Sequence, residues 1–311
     1  MENKIFKHVS SFNNIRRCSN LSIGVKTEIF SIFIRDLCKK QQFIQSVKLN
    51  YLQEQYENVI QEFLNKPLIP PIPRRAVIWI MWWQGEEKMP PLVKACFQSV
   101  KKHVSDNVEI VLLTEQNYMQ YVRLSQPILQ KFQRGLISLT HLSDIIRMCC
   151  LAEYGGMWLD STIYVNRDIP DDVITGEFFS LSTEIDSRFV SMCKWSSFAI
   201  GGRNVVFDFM RTLFFAHWQK YETFIDFFFI DYGIRLFYEN SATFKQMVDE
   251  QAIFVKDLYI LQEKLDEVYD EDEMLRISED AMFCKLSWKG NYKRNLNGKK
   301  TFYGYLISKV D

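Results

Sequence analysis

Residues 139–172 read LTHLSDIIRMCCLAEYGGMWLDSTIYVNRDIPDD. Ser143–Tyr154 has helical spacing, with Leu142, Ile145, Ile146 and Cys149 on one apolar face. Gly155-Gly156 ends that helix, as glycine does just past a helix C-terminus. Met157–Val165 follows as a strand, interrupted by Asp160-Ser161-Thr162. A carboxylate at the end of a buried strand needs a partner, because an unpaired buried charge is costly. In open α/β sheets the C-terminal strand ends are also where ligands bind. Asp160 is therefore the first candidate site residue; the plainer reading is a turn residue bonding to its neighbours. Asp144 and Arg147 are three apart and share a helix face. They form either a surface ion pair, worth at most ~1 kcal/mol, or part of the same site.

Upstream, Ala76–Trp82 (AVIWIMW) is a continuous apolar run of strand length, the pattern of a buried parallel strand. Leu92–His103 reads as a helix, Val108–Thr114 as a second strand, and Glu115–Tyr121 as the start of another helix. This alternation predicts an α/β fold with a nucleotide-binding type of sheet. Neither GxGxxG nor GxxxxGK[ST] occurs, so dinucleotide and P-loop readings lose support. Downstream, Phe178–Thr183 and Phe198–Ile200 read as short strands, and Val205–Lys220 and Tyr221–Asn240 as helices. Trp82-Trp83-Gln84-Gly85 follows the first strand. A Trp can stack on a planar ring, and Gly permits close backbone approach; the alternative is two core Trp residues.

Four of the eight prolines fall between Pro67 and Pro73, and they divide the chain. Residues 1–73 form a helical extension with a Pro-rich linker, and 74–311 the main domain. Helical spacing links Phe30, Phe33, Ile34 and Leu37, and again Tyr51, Tyr56, Ile60 and Phe63. Residues 1–66 hold 10 Lys/Arg and 6 Asp/Glu, a balance of +4. This extension either packs on the main domain or offers a basic, Phe-bearing surface to anionic membrane. Residues 248–280 are acidic, and 285–310 carry seven Lys/Arg and no acid.

At ~150 residues per domain, 311 residues make two domains or one large domain with an extension. Hydrophobic residues at 47% and charged residues at 24% exclude a disordered or fibrous chain. Lys+Arg and Asp+Glu are both 38, so the global balance gives no reason to expect nucleic acid. No apolar run approaches the ~18–20 residues that span a bilayer. The first 17 residues show no apolar signal-peptide core. Seven cysteines without CxxC spacing argue against a disulfide framework or a structural zinc site, and a reducing cytoplasm is the expected compartment. Cys149-Cys150 is expected in the core.

The block LSDIIRMCCLAEYGGMWLDST (142–162) resembles the DXD region of sugar-nucleotide glycosyltransferases. It is most similar to the capsular polysaccharide synthesis protein family, related to the α-mannosyl and α-galactosyl transferase group. IPRRAVIWIMWWQG (72–85), IDFFFIDY (225–232) and KLSWK (285–289) add weaker likeness, and together these cover about 74–310. The resemblance implies a GT-A-like, Rossmann-type nucleotide-sugar domain. It also implies Mn²⁺ or Mg²⁺, held by the motif's carboxylates as a Lewis acid on the donor diphosphate. Here the last carboxylate is replaced by Thr162, leaving Asp160 as the metal ligand and Thr162 as a weak second. By the same resemblance, Asp144 and Arg147 contact the transferred sugar, and Trp82–Gly85 grip the nucleotide. One of Asp226 and Asp231, of which Asp231 is taken, reaches the acceptor or the anomeric centre. Lys285 and Lys289, with Lys293 and Arg294, would close over the diphosphate; otherwise they form a solvated tail or meet lipid head groups. His141 is expected as a cap or core contact.

The implied activity is transfer of a sugar from a nucleotide-sugar, UDP-linked, to a lipid-linked polysaccharide or oligosaccharide at the inner membrane face. Retention of configuration, an α-linkage and a cytoplasmic, peripherally membrane-associated enzyme go with it. Two alternatives stay open: an effector that glycosylates a host protein, and a non-catalytic nucleotide-sugar or glycan binder. Residues 1–66 are expected to be separable from donor chemistry and to serve the acceptor or the membrane.

Overall fold

The computed structural model describes residues 33–72, 75–251, 255 and 257–309. Helix α1 spans Leu37–Leu64, and the Asp36 side chain caps it by accepting from the Lys39 backbone N–H at 2.8 Å. Strand β1 (Val77–Met81), helix α2 (Pro91–Lys102) and strand β2 (Glu109–Leu113) follow the predicted alternation. Next come α3 (Gln126–Gln133), α4 (Leu139–Tyr154), β3 (Met157–Leu159) and β4 (Ile163–Val165). Beyond them lie α5 (Asp171–Ile174), β5 (Phe179–Ser180), β6 (Ala199–Gly201), α6 (Val205–Lys220), α7 (Phe229–Asn240) and α8 (Ala242–Asp249). The chain continues with α9 (Ile260–Lys264), α10 (Glu271–Asp280), β7 (Phe283–Lys285), β8 (Asn295–Leu296), β9 (Lys299–Lys300) and α11 (Phe302–Ile307).

The main sheet has the order β2-β1-β3-β6-β5. β1 pairs in parallel with β2 and β3, and β6 is antiparallel to β3 and β5. A short antiparallel pair, β4 with β7, sets Ile163 opposite Lys285. The sheet is buried on both faces, so β1 has no polar face: Val77, Trp79 and Met81 join one core cluster, Ile78 and Ile80 the other. The first cluster lies under α4, α6, α7 and α1. The second lies under α2 and the C-terminal elements. Cys149 and Cys150 are buried as expected, and the six described cysteines are all free.

Several expectations change. Helix α1 is built into the main core: Leu52, Tyr56, Ile60 and Phe63 are buried in the first cluster. Tyr56 Oη lies 2.7 Å from His217 Nδ1 on α6, and the Lys48 ammonium pairs with Asp226. Residues 37–64 are thus not a detachable arm, because their apolar stripe has no other cover. Phe33 precedes the helix, and both it and Leu37 are exposed. Phe30 lies outside the described residues. Of Glu115–Tyr121 only a single 3-10 turn, Tyr118–Gln120, is helical. Asn117 Oδ1 accepts from the Thr114 N–H at 2.7 Å, a local bond that competes with an α-helix. The helix expected over Tyr221–Asn240 starts only at Phe229. Asp226 lies in the preceding turn, where its Oδ1 accepts from the Phe228 N–H at 2.9 Å.

Candidate active site

The path from α4 to β3 fixes the first part of the site. The turn uses Gly155 and Gly156, with φ of 68° and 80°, a region that favours glycine. At Gly156 a Cβ would also lie 2.4 Å from the Val77 carbonyl oxygen, so only glycine lets β3 close on β1. The register places Trp79 beside Trp158, which brings the C-terminal ends of β1 and β3 to the same sheet edge. Asp160 emerges at that edge, its own N–H bonded to the Phe198 carbonyl at 2.8 Å.

Four charged groups meet there. Arg147 Nη1 donates to Asp144 Oδ1 at 2.8 Å, and Nη2 to Asp160 Oδ1 at 3.1 Å. The guanidinium lies 4.8 Å from the Trp158 ring centroid, and Trp158 Nε1 donates to Asp160 Oδ1 at 3.0 Å. From β7, Lys285 Nζ donates to Asp160 Oδ2 at 2.9 Å and to Thr162 Oγ1 at 2.8 Å. Side-chain exposure is graded: 5% for Arg147, 15% for Asp144, 20% for Lys285 and 30% for Asp160. Arg147 is thus an interior clamp between two carboxylates, and Asp160 and Lys285 are the groups a ligand reaches first.

Electrostatics follow from this layout. Burial pushes the Asp144 carboxyl up to about 6; Arg147 opposes the rise and Asp160 adds to it. Burial acts the same way on Asp160, but Lys285 and Arg147, with the Trp158 and Lys285 hydrogen bonds, outweigh it and hold the carboxyl below its usual range. Asp231 lies in the first turn of α7 and accepts from Trp195 Nε1 at 3.0 Å. Burial raises it to about 7; the Trp195 bond and Arg147 oppose this, while Asp144 and Asp226 add to it. Two carboxyls raised toward neutrality beside one held below its usual range is the pattern by which environments assign acid and base roles.

The remaining sequence candidates divide. Trp82 sits at the end of β1, half-buried, edge-to-face with Trp288 at 5.8 Å. Trp83 turns the other way, against Tyr118 and Phe132, and serves the core. Gln84 is exposed, and Gly85 (φ 86°) opens the turn before Glu86–Lys88. Lys289 is exposed on the loop after Lys285 and Trp288, with no ion pair among the described residues; Lys293 and Arg294 continue that segment. Asp226 is engaged by Lys48. His141 is both cap and packing residue: its N–H donates to Ser138 Oγ at 3.3 Å, and its ring meets Phe224 edge-on at 4.6 Å.

Sequence reasoning missed Trp158, Trp195, Phe198 and Trp288. Trp158 had a readable signal, since residues two apart on a strand share a face and Asp160 follows it by two. Trp195 and Phe198 had none, because their partners lie far along the chain.

The family model for capsular polysaccharide synthesis proteins matches residues 30–306. The chain belongs to this family. The match begins within the N-terminal segment, well before residue 74, in agreement with a helix α1 that shares the main core. No curated protein matches the chain. No helix among the described residues is long and apolar enough to cross a membrane.

The residues of this capsular polysaccharide synthesis protein do not fit the divalent ion implied by the DXD likeness. Among the described residues no cluster of three or more His, Cys, Asp or Glu is placed to hold a metal. Asp160 is the only carboxylate of its motif, and both its oxygens already accept from cations. The Thr162 hydroxyl oxygen also accepts from Lys285.

Proposed function

We propose that this protein is a glycosyltransferase of capsular polysaccharide synthesis, moving a sugar from a nucleotide-sugar to a growing glycan. The observation that carries the reading is the Asp144–Arg147–Asp160–Lys285 cluster at the C-terminal edge of parallel strands β1 and β3. That edge is the ligand position of open α/β sheets. The parallel β2-β1-β3 core followed by antiparallel β6 supports a GT-A-like nucleotide-sugar domain. A UDP-sugar is the donor we favour, with the base against the Trp82–Trp288 pair and the diphosphate toward Lys285.

Chemically, the bond from the anomeric carbon to the β-phosphate oxygen breaks, and its electron pair stays on that oxygen. The acceptor hydroxyl oxygen forms the new bond, and its proton passes to the leaving diphosphate. Configuration is retained when both events occur on one face, which needs no covalent nucleophile from the protein. Lys285 and Arg147 stabilise the charge that develops on the diphosphate. Asp231 orients the acceptor hydroxyl or the sugar, and Arg147 holds Asp144 and Asp160 in place.

A lipid-linked acceptor at the cytoplasmic membrane face agrees with one surface. Phe33, Leu37, Ile185 and Phe189 are exposed, with Arg35, Lys39 and Arg188 also exposed nearby. Gln42 Nε2 donates to Ser187 Oγ at 2.8 Å and Gln45 Nε2 to the Arg188 carbonyl at 2.8 Å, joining the two segments into one patch. Asp36 and Glu184 are exposed there too and Asp186 pairs with Arg188, so it is the exposed apolar side chains, not a net positive charge, that suit a bilayer surface.

The test incubates the full chain with a panel of nucleotide-sugars and a lipid-linked oligosaccharide, and measures nucleoside diphosphate release and glycan extension. Wild type should consume one donor, and Asp160→Ala should consume none while keeping its circular dichroism. Binding without turnover would favour a non-catalytic glycan-binding protein, and transfer only to protein would favour an effector. A wild type that neither binds nor consumes any donor would overturn the reading.

A further inference from the structure

The Lys285 side chain is held more firmly than a surface lysine of a basic tail. Its backbone N–H donates to the Leu258 carbonyl at 2.8 Å, and the next N–H, of Leu286, donates to the Thr162 carbonyl at 2.9 Å. The β4–β7 register thus fixes Lys285 beside the Asp160-Ser161-Thr162 turn. Its ammonium bonds to Asp160 Oδ2 and Thr162 Oγ1 and lies 4.8 Å from the Phe198 ring centroid. An ammonium has three N–H groups and no acceptor capacity. Two are used by Asp160 and Thr162, and the side chain is 20% exposed, so the third is available to a ligand.

We propose that the Lys285 ammonium occupies the place of a divalent ion, so that this protein binds a nucleoside diphosphate and uses nucleotide-sugar without a metal. The inference rests on the glycosyltransferase reading and adds the identity of its cation. The cluster already pairs two carboxylates with two fixed cations. An added Mn²⁺ would have to displace Lys285 from Asp160 Oδ2 and would then face Arg147 across the same carboxylate. A diphosphate needs only a positive group at that edge, and Lys285 supplies one with no dehydration of a metal ion. Thr162 in place of a second acid is what this requires. A hydroxyl orients an ammonium without adding charge, whereas a second carboxylate would leave the cluster net negative and repel the phosphates.

The experiment titrates full-length protein with UDP by calorimetry, in EDTA and then in excess Mn²⁺, and repeats donor turnover under both conditions. Affinity and turnover should agree within about twofold in EDTA and Mn²⁺. Lys285→Met should weaken UDP binding by at least about tenfold, the loss expected for one charged hydrogen bond, with no rescue by Mn²⁺. Thr162→Val, which removes one anchor and leaves the charge, should weaken binding less than Lys285→Met. Binding that disappears in EDTA and returns with Mn²⁺ would overturn the proposal, and so would a folded Lys285→Met with wild-type affinity. The EDTA arm uses wild type alone, so a misfolded variant does not decide the matter. A wild type that binds no nucleotide in either buffer would instead refute the glycosyltransferase reading.

Discussion

Replacing Arg147 by Met removes the one cation shared by Asp144 and Asp160 while keeping most of the volume. The side chain is 5% exposed, so the loss is felt inside the protein. Breaking a buried ion pair by removing one partner costs about 3–5 kcal/mol, because a buried charge is left uncompensated. Asp160 keeps Lys285 and Trp158, so most of the cost falls on Asp144, and the lower end, about 3 kcal/mol, is expected. The cost should depend on pH. In wild type Asp144 already titrates at about 6, and without Arg147 its pKa rises further. A carboxyl raised in the folded state contributes its stability at low pH and loses it as pH rises through the folded value. The gap between Arg147→Met and wild type should therefore be small near pH 5 and largest near pH 8. Urea unfolding followed by circular dichroism at both pH values measures it. The double variant Asp144→Asn/Arg147→Met should recover part of the loss at pH 8. A pH-independent cost below about 1 kcal/mol, the value of an exposed pair, would show that Arg147 is not the clamp described.

Asp144→Asn removes a negative neighbour of Asp231, so the Asp231 pKa should fall from about 7; carboxyl ¹³C NMR titration would show it, and an unmoved value would separate the two groups. His217 is buried and titrates at about 4, its Nε2 donating to the Thr223 carbonyl and its Nδ1 accepting from Tyr56. Its contribution is present above pH 6.5 and lost as pH falls toward 4, about 3 kcal/mol in all at 1.36 kcal/mol per unit; denaturation across that range should show the loss, and His217→Phe should flatten it. Ile60→Ala and Phe63→Ala on α1 should each cost about 2–5 kcal/mol, and a stable, soluble chain beginning at residue 67 would contradict α1's place in the core.

The parallel core was readable because β1 and β2 announce themselves as apolar runs and the Gly155-Gly156 turn marks where α4 gives way to β3. Asp160, Asp144 and Arg147 were readable for the same reason: all three belong to one continuous segment, so local spacing places them together. Lys285 was named for the diphosphate by resemblance, but its contact with Asp160 was not readable, since it depends on β7 pairing with β4 across more than a hundred residues. Trp195 beneath Asp231 has the same character, a tertiary contact without a local pattern. Of the two readings of the segment before the prolines, packing on the main domain is the one that helix α1 follows, and only its expected separability fails, because the proline run after it looks like a domain boundary. Proline stops regular structure, but it carries no information on whether the segment before it folds back.

Whether the strand-edge cluster is a donor site is tested most directly by UDP titration of the wild type and of Lys285→Met in identical buffer. Saturable binding by the wild type and binding at least about tenfold weaker by a folded Lys285→Met are expected. Equal affinity in the two proteins would place the nucleotide elsewhere and refute a donor site at that edge.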